Sequence, residues 1–261
     1  MGNSKNHNGN RAASHLDDAE RAGTVAGRNA VRELIRSGQP IDKILVSGRA
    51  GQISSIIAEA REAGIPVISA AEEKLDRISC GTVHQGIVAY TAQKKYSTVD
   101  DILGVARERG ELPLIAIADR VEDPHNLGTL IRCAECAGAH GVIIPRRRSS
   151  GLTPVVAKAS AGALFHMAVA KVGNIAQTVD YLKERGVWTF AAESGGTPYY
   201  ETDFHLPAAV VFGSEGSGVP RLVRESCDFT VSIPMYGHVN SLNVSTAASV
   251  ILCHAARMQR T

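Results

Sequence analysis

The sequence predicts an α/β protein in two parts, a small αβαβαβ unit followed by a larger unit built on a mostly parallel sheet. From residue 24 onward, short apolar runs alternate with segments of helical periodicity. In the second part the runs at 114–118, 141–144 and 208–212 are continuously apolar, as strands covered on both faces are. A chain of 261 residues that is 44% apolar has material for two units with real cores.

Residues 1–22 are rich in Asn, Gly, Ser and mixed charge, and read as a disordered arm whose Lys5, Arg11 and Arg21 could touch RNA. In the small unit, 23–92, helices are expected at 27–36, 53–63 and 71–78, and strands at 43–47, 66–69 and 86–91. A polar loop holding His84 and Gln85 precedes the last strand, and either side chain could meet RNA or simply be solvated. Residues 93–111, with a short helix at 99–109 and punctuation at Gly110 and Pro113, read as a linker. The second unit, 112–261, offers strands at 114–118, 141–144, 166–171, 187–192, 208–212 and 229–233. Helices are expected at 126–138, 154–164, 174–185, 219–226 and 245–258.

Composition excludes several classes. A net charge of +2 means that any nucleic-acid partner must be met by a local basic surface, for which 146–148, three arginines after a strand, is a candidate. No apolar run reaches the roughly 18 residues of a membrane helix, and the polar start lacks a signal-peptide core, so a cytoplasmic protein is expected. Asn6 stands where a myristoylation signal needs Ser or Thr. Cys133 and Cys136 form a C-x-x-C on a helical pattern, with no second pair at metal spacing, so no metal is expected.

Ligands of open parallel sheets sit beyond the carboxyl ends of the strands, and three polar loops follow strands there. The first carries Asp123-Pro124-His125-Asn126 and, deeper in its helix, Arg132. Asn126 could cap that helix, and Arg132 lies about 120° from it in projection. The second, Gly213-Ser-Glu215-Gly-Ser-Gly218, permits close backbone approach, yet its spacing is not that of a dinucleotide fingerprint, and no phosphate-loop pattern occurs. The third runs from Ile233 through Met235, Ser241, Leu242 and Asn243 to Ser245, and either caps the last helix or presents donors to a ligand.

Together these motifs resemble the SpoU (TrmH) family of RNA ribose 2′-O-methyltransferases, of the SPOUT class. Asn126-x-Gly128-x-x-x-Arg132, Gly213-x-Glu215-Gly216-x-Gly218 and Ser241-Leu242-Asn243-Val244-Ser245 carry the likeness from about residue 112 to the C-terminus. Val83-His84-Gln85-Gly86, Asp123-Pro124-His125-Asn126 and Arg148-Ser149 narrow it toward the bacterial 23S rRNA guanosine 2′-O-methyltransferases, whose small leading unit is L30e-like. Phe165 departs from the polar residue common in relatives.

The resemblance implies a C-terminal trefoil knot, a homodimer and S-adenosylmethionine held by backbone around Gly213, Gly218, Ile233, Met235 and Leu242. A catalytic set of Asn126, Arg132, Glu215, Ser241, Asn243 and Ser245 is expected on this basis; we assign Asn126 and Glu215 to holding Arg132 and the ribose, and read His84, Gln85, Arg146 and Arg148 as candidate RNA contacts. The implied substrate is a guanosine in the peptidyl-transferase P-loop of 23S rRNA. A tRNA ribose methyltransferase and a catalytically silent RNA-binding protein are the alternatives.

Overall fold

A computed structural model describes residues 23–48, 53–79, 81–92 and 94–261. The expected N-terminal arm and Cys80 lie outside these residues. The chain builds two sheets. The first part contains β1 (Thr24–Ala26), α1 (Arg28–Arg36), β2 (Ile41–Val46), α2 (Ser54–Glu62), β3 (Val67–Ser69), α3 (Glu72–Ile78) and β4 (Ile87–Thr91). Its sheet runs β1-β4-β2-β3, antiparallel except for the β2–β3 pair. Strand β1 is an addition to the expected αβαβαβ order; three residues with no alternation carry no periodic signal.

The remainder comprises α4 (Val99–Arg109), β5 (Leu114–Ala118), α5 (Pro124–Cys136), β6 (Gly141–Pro145), α6 (Pro154–Ala159), β7 (Ala168–Val172), α7 (Ile175–Lys183), β8 (Trp188–Pro198), β9 (Ala208–Phe212), α8 (Arg221–Ser226), β10 (Phe229–Ser232) and α9 (Val244–Gln259). Six parallel strands lie in the order β10-β8-β9-β5-β6-β7. Strand direction alternates the side chains between two cores. Leu114, Ala116 and Ala118 face α5 and α9 with Val210 and Phe212, while Ile115 and Ile117 meet Ile102, Val179 and Leu182 on the other face. Double coverage is why these strands read as unbroken apolar runs. Among the described residues no helix is long and apolar enough to cross a membrane.

Helix α4 lies inside the stretch expected as linker, yet it belongs to the second core. Thr98 and Asp101 close its start as a capping box, Gly110 ends it in the left-handed conformation, and Ile102 is fully buried against Gly141. Burying such a side chain contributes roughly 1.5–3 kcal/mol, more than a free spacer would show. Helix α5 starts two residues before its expected position, because Asp123 caps it by accepting from the His125 amide and Pro124 occupies its first turn. Gly128 packs this helix onto α6: a Cβ there would collide with Ala159 and the Val156 carbonyl.

The two parts share one apolar cluster, in which Ala30 and Leu34 join Leu164 and Phe165. Phe165 is buried in this seam, and its carbonyl accepts from Gln39 Nε2 at 3.1 Å and Lys94 Nζ at 3.2 Å. His166 Nε2 meets Glu33 Oε2 at 3.1 Å alongside.

Candidate active site

Because all six strands are parallel, the loops after β5, β9 and β10 emerge at one edge of the sheet. Two adjoining clefts open there. The larger, about 670 Å³, is lined by residues 192–194, 212–218 and 240–244 together with Val231, Ile233, Met235, Ala247 and Ile251. The smaller, about 380 Å³, is bounded by Arg120, Asp123, Asn126 and Arg148 and shares Ser214, Glu215, Ser217 and Val244 with its neighbour.

The shared wall is a tight loop. A Cβ on Gly213 would run into the backbone of Gly218 and Val219, so the chain can fold back on itself only with glycine at 213. The Gly218 amide donates to Ser214 O at 3.0 Å, and the Ser214 and Ser217 hydroxyls lie 2.7 Å apart. Glu193, within β8, accepts from the Val219 amide at 2.9 Å and fixes the loop's exit.

Three loops are joined by one hydrogen-bond network. Asn126 Nδ2 donates to Glu215 Oε1 at 2.9 Å, and Asn243 Nδ2 donates to Asn126 Oδ1 at 2.9 Å and to the same Glu215 oxygen. Asn243 Oδ1 in turn accepts from the Ser245 amide at 2.9 Å and its hydroxyl at 2.6 Å. Asn243 therefore caps α9 with its oxygen and binds the other two loops with its nitrogen, so capping and site-building are a single geometry.

The structure thus brings together Asn126, Glu215, Asn243 and Ser245. Ser241, Gly213, Gly218, Ile233, Met235 and Leu242 all line the larger cleft. Arg132 is placed otherwise: it is exposed on α5, lines neither cleft, and makes no hydrogen bond or ion pair among the described residues. Asn126 and Glu215 spend their bonds on Asn243 and each other and not on Arg132, as the 120° projection between Asn126 and Arg132 foreshadows. Nor does Asn126 cap its helix; Asp123 does. Arg148 borders the smaller cleft, while Arg146 is exposed outside both.

In the small unit's loop, His84 alone turns inward. His84 is buried, its Nε2 lying 3.0 Å from Asp76 Oδ1 and its Nδ1 accepting from the Gly86 amide at 3.0 Å. Gln85 Oε1 accepts from the Arg28 amide at 3.0 Å, so this side chain closes the start of α1. His84 thus has both ring nitrogens engaged within the fold, while Gln85 remains exposed with its Oε1 bonded. Cys133, half-buried, meets the Ser249 hydroxyl at 2.7 Å, whereas Cys136 is exposed.

Two residues escaped the sequence reading. Glu193 follows an apolar run at a strand's carboxyl end, a signal that was available. Arg120, two residues past the apolar run of β5, carried the same signal, though not its left-handed backbone at φ 59°. Beside it, burial pushes the Asp119 carboxyl above the ordinary carboxylate range, an effect that the Arg120 charge partly offsets.

The larger cleft suits S-adenosylmethionine. Phe212, Val231, Ile233 and Ile251 provide an apolar floor for a purine, the glycine loop exposes backbone donors and acceptors, and the carboxylates of Glu193 and Glu215 face a ligand whose sulfonium and ammonium are positive.

The sequence pattern of the SpoU rRNA methylase family matches residues 113–253, and that of RNA 2′-O ribose methyltransferase substrate binding matches 24–97. A Staphylococcus saprophyticus protein assigned to the TrmH family of tRNA/rRNA methyltransferases is 44% identical over 236 residues, covering 89% of this chain and 94% of its own. A Bacillus subtilis protein of the same assignment, YacO, is 42% identical with the same coverage. Among solved structures, the SpoU methyltransferase AviRb of Streptomyces viridochromogenes, in complex with its cofactor AdoMet (S-adenosylmethionine), superposes with a TM-score of 0.78 at 26% identity, over 98% of this chain and 95% of that one. An AdoMet-bound rRNA methyltransferase of Sinorhizobium meliloti gives a TM-score of 0.73 at 25% identity, over 94% and 90%. The likeness spans both sheets, and the chain belongs to the SpoU (TrmH) family of S-adenosylmethionine-binding RNA methyltransferases.

Proposed function

We propose that the protein methylates a ribose 2′-hydroxyl of RNA, with a guanosine of the peptidyl-transferase P-loop in 23S rRNA as its target. It would act as a homodimer through its C-terminal part, with that part drawn into a trefoil knot, and in the cytoplasm. Residues 23–92 are the RNA substrate-binding unit in this reading, and 112–261 the catalytic one.

The observation that carries the reading is the Asn126–Glu215–Asn243 network, which fixes three loops on the wall between the two clefts. Bound S-adenosylmethionine supplies an electrophilic methyl group. The chain's part is alignment, and holding reactants in line can lower a barrier by about 7–11 kcal/mol. Glu215 and Asn243 would orient the ribose, Ser245 would hold Asn243 in register, and Ser241 would contact the nucleotide at the cleft mouth.

Arg132, exposed and unbonded among the described residues, has its guanidinium available to RNA. With a pKa above about 12, it is a poor base near neutrality. Its positive charge would instead ease ionisation of the hydroxyl while water or RNA accepts the proton.

The test is transfer of labelled methyl from S-adenosylmethionine to 23S rRNA fragments by the wild type and by Arg132→Ala. Label at a single P-loop guanosine, lost in the variant, is the expected result; undiminished turnover in the variant would remove Arg132 from the reaction. Label on tRNA alone would move the substrate to the class that the relatives' tRNA/rRNA assignment also covers.

A further inference from the structure

The smaller cleft is not accounted for by the cofactor. It is separated from the cofactor cleft only by the wall that Ser214, Glu215 and Ser217 provide to both. Two arginines border it, and both sit in a backbone region that residues with a Cβ disfavour: Arg120 at φ 59° and Arg148 at φ 55°. Among the described residues only Gln85 and Ala161 share that conformation without being glycine. A local cost of this kind persists where surrounding structure imposes it, and it collects at ligand clamps. Here two strand ends, those of β5 and β6, each turn an arginine to the same opening.

Neither guanidinium donates a hydrogen bond or joins an ion pair among the described residues. The acidic groups nearby are largely committed: Asp123 caps α5 and Glu215 is held by Asn126 and Asn243, while buried Asp119 lies within reach of the Arg120 charge and Glu122 is exposed at the rim. Two unspent forks of N–H donors therefore border a cleft whose other wall lies against the methyl donor's site. A phosphodiester oxygen is the acceptor such forks match. In a nucleotide, the 2′-hydroxyl lies one sugar away from its phosphate, and the two clefts adjoin through shared lining residues.

We propose that the smaller cleft is the target-nucleotide subsite, and that Arg120 and Arg148 are positioning residues that clamp a phosphate of the RNA beside the reacting ribose. This rests on the proposed ribose methylation, though its test does not. Glycine tolerates positive φ, so Arg120→Gly and Arg148→Gly remove the side chains while sparing the backbone, and Arg120→Lys keeps the charge without the fork. Binding of a 23S rRNA transcript is measured by filter retention across a salt series, and binding of S-adenosylhomocysteine by calorimetry.

Each glycine variant is expected to weaken RNA binding about tenfold and to lower the log–log salt slope by about one. Arg120→Lys should recover part of the affinity, with S-adenosylhomocysteine binding unchanged throughout. RNA affinity and salt slope left intact in the double glycine variant would overturn the clamp, as would a loss confined to S-adenosylhomocysteine. A wild type that binds RNA through both arginines yet transfers no methyl group would keep the clamp and remove ribose methylation.

Discussion

The loop at 82–86 of the small unit and the loops at 213–218 and 233–243 of the large one hold similar residues, polar side chains among glycines before or after a buried strand, and use them in opposite ways. In the first, His84 and Gln85 bond Asp76, the Gly86 amide and the Arg28 amide, all within their own sheet and helices. In the second, Glu215 and Asn243 bond across 28 positions of sequence and to Asn126, on the surface of a cleft. A polar loop therefore announces a site only when its side chains satisfy one another across separate loops. When they satisfy their own backbone, the same composition is a piece of fold.

Breaking the cross-loop network should have the largest effect. In Asn243→Ala the Asn126 carbonyl oxygen and Glu215 lose their shared donor and the Ser245 amide loses its cap. Misplacement on the scale of an ångström costs about 100-fold in turnover, so kcat for methyl transfer should fall by about that factor. Loss of the cap alone costs about 1 kcal/mol of stability. A kcat that falls only in proportion to the unfolded fraction would reduce Asn243 to a cap.

The inward-turned His84 should give the opposite pattern. His84→Ala empties a buried position and leaves the half-buried Gly86 amide without its acceptor, at a cost of about 1–3 kcal/mol, while the exposed Asp76 can turn to water. The urea midpoint should drop accordingly, with RNA affinity per folded molecule unchanged. If RNA affinity falls and stability holds, His84 is a contact after all and the contrast between the two regions dissolves.

How far the sequence revealed all this follows the same division. Continuous apolar runs located β5, β6 and β9 because burial on both faces leaves a signal in every residue. The pattern could not show β1, too short for any period, or the extension of β8 to Pro198, which depends on Gly196 letting the backbone pass Thr230. Periodicity marked the helix at Val99–Arg109 but could not tell a spacer from a core element, since what decides it is Ile102 meeting a glycine on another strand. At the site, the motifs located Asn126, Glu215 and Asn243 but not their mutual bonds, which span 89 and 117 positions. Arg120 follows a strand as Glu193 does, but the left-handed backbone it adopts at the cleft has no signature in residue type.

The smallest effect is expected at the seam that joins the two regions. Lys94 donates to the Phe165 carbonyl, and burial pushes its ammonium down to about 8. An unfolded lysine keeps its proton to about 10.4. Between these values the unfolded chain binds more protons than the folded one, so this group makes stability rise with pH there, as the cost of burying the charge is relieved. Below about 8 both states are protonated and the cost is present in full. Lys94→Met removes the titrating group while keeping much of the apolar stem. Relative to that variant, the wild type should gain about 1–2 kcal/mol between pH 8 and 10 after allowance for solvent screening, read from urea midpoints. Parallel pH profiles for the two proteins would mean that the ammonium is hydrated, and that the seam is held by the shared apolar cluster around Phe165 and Leu34 alone.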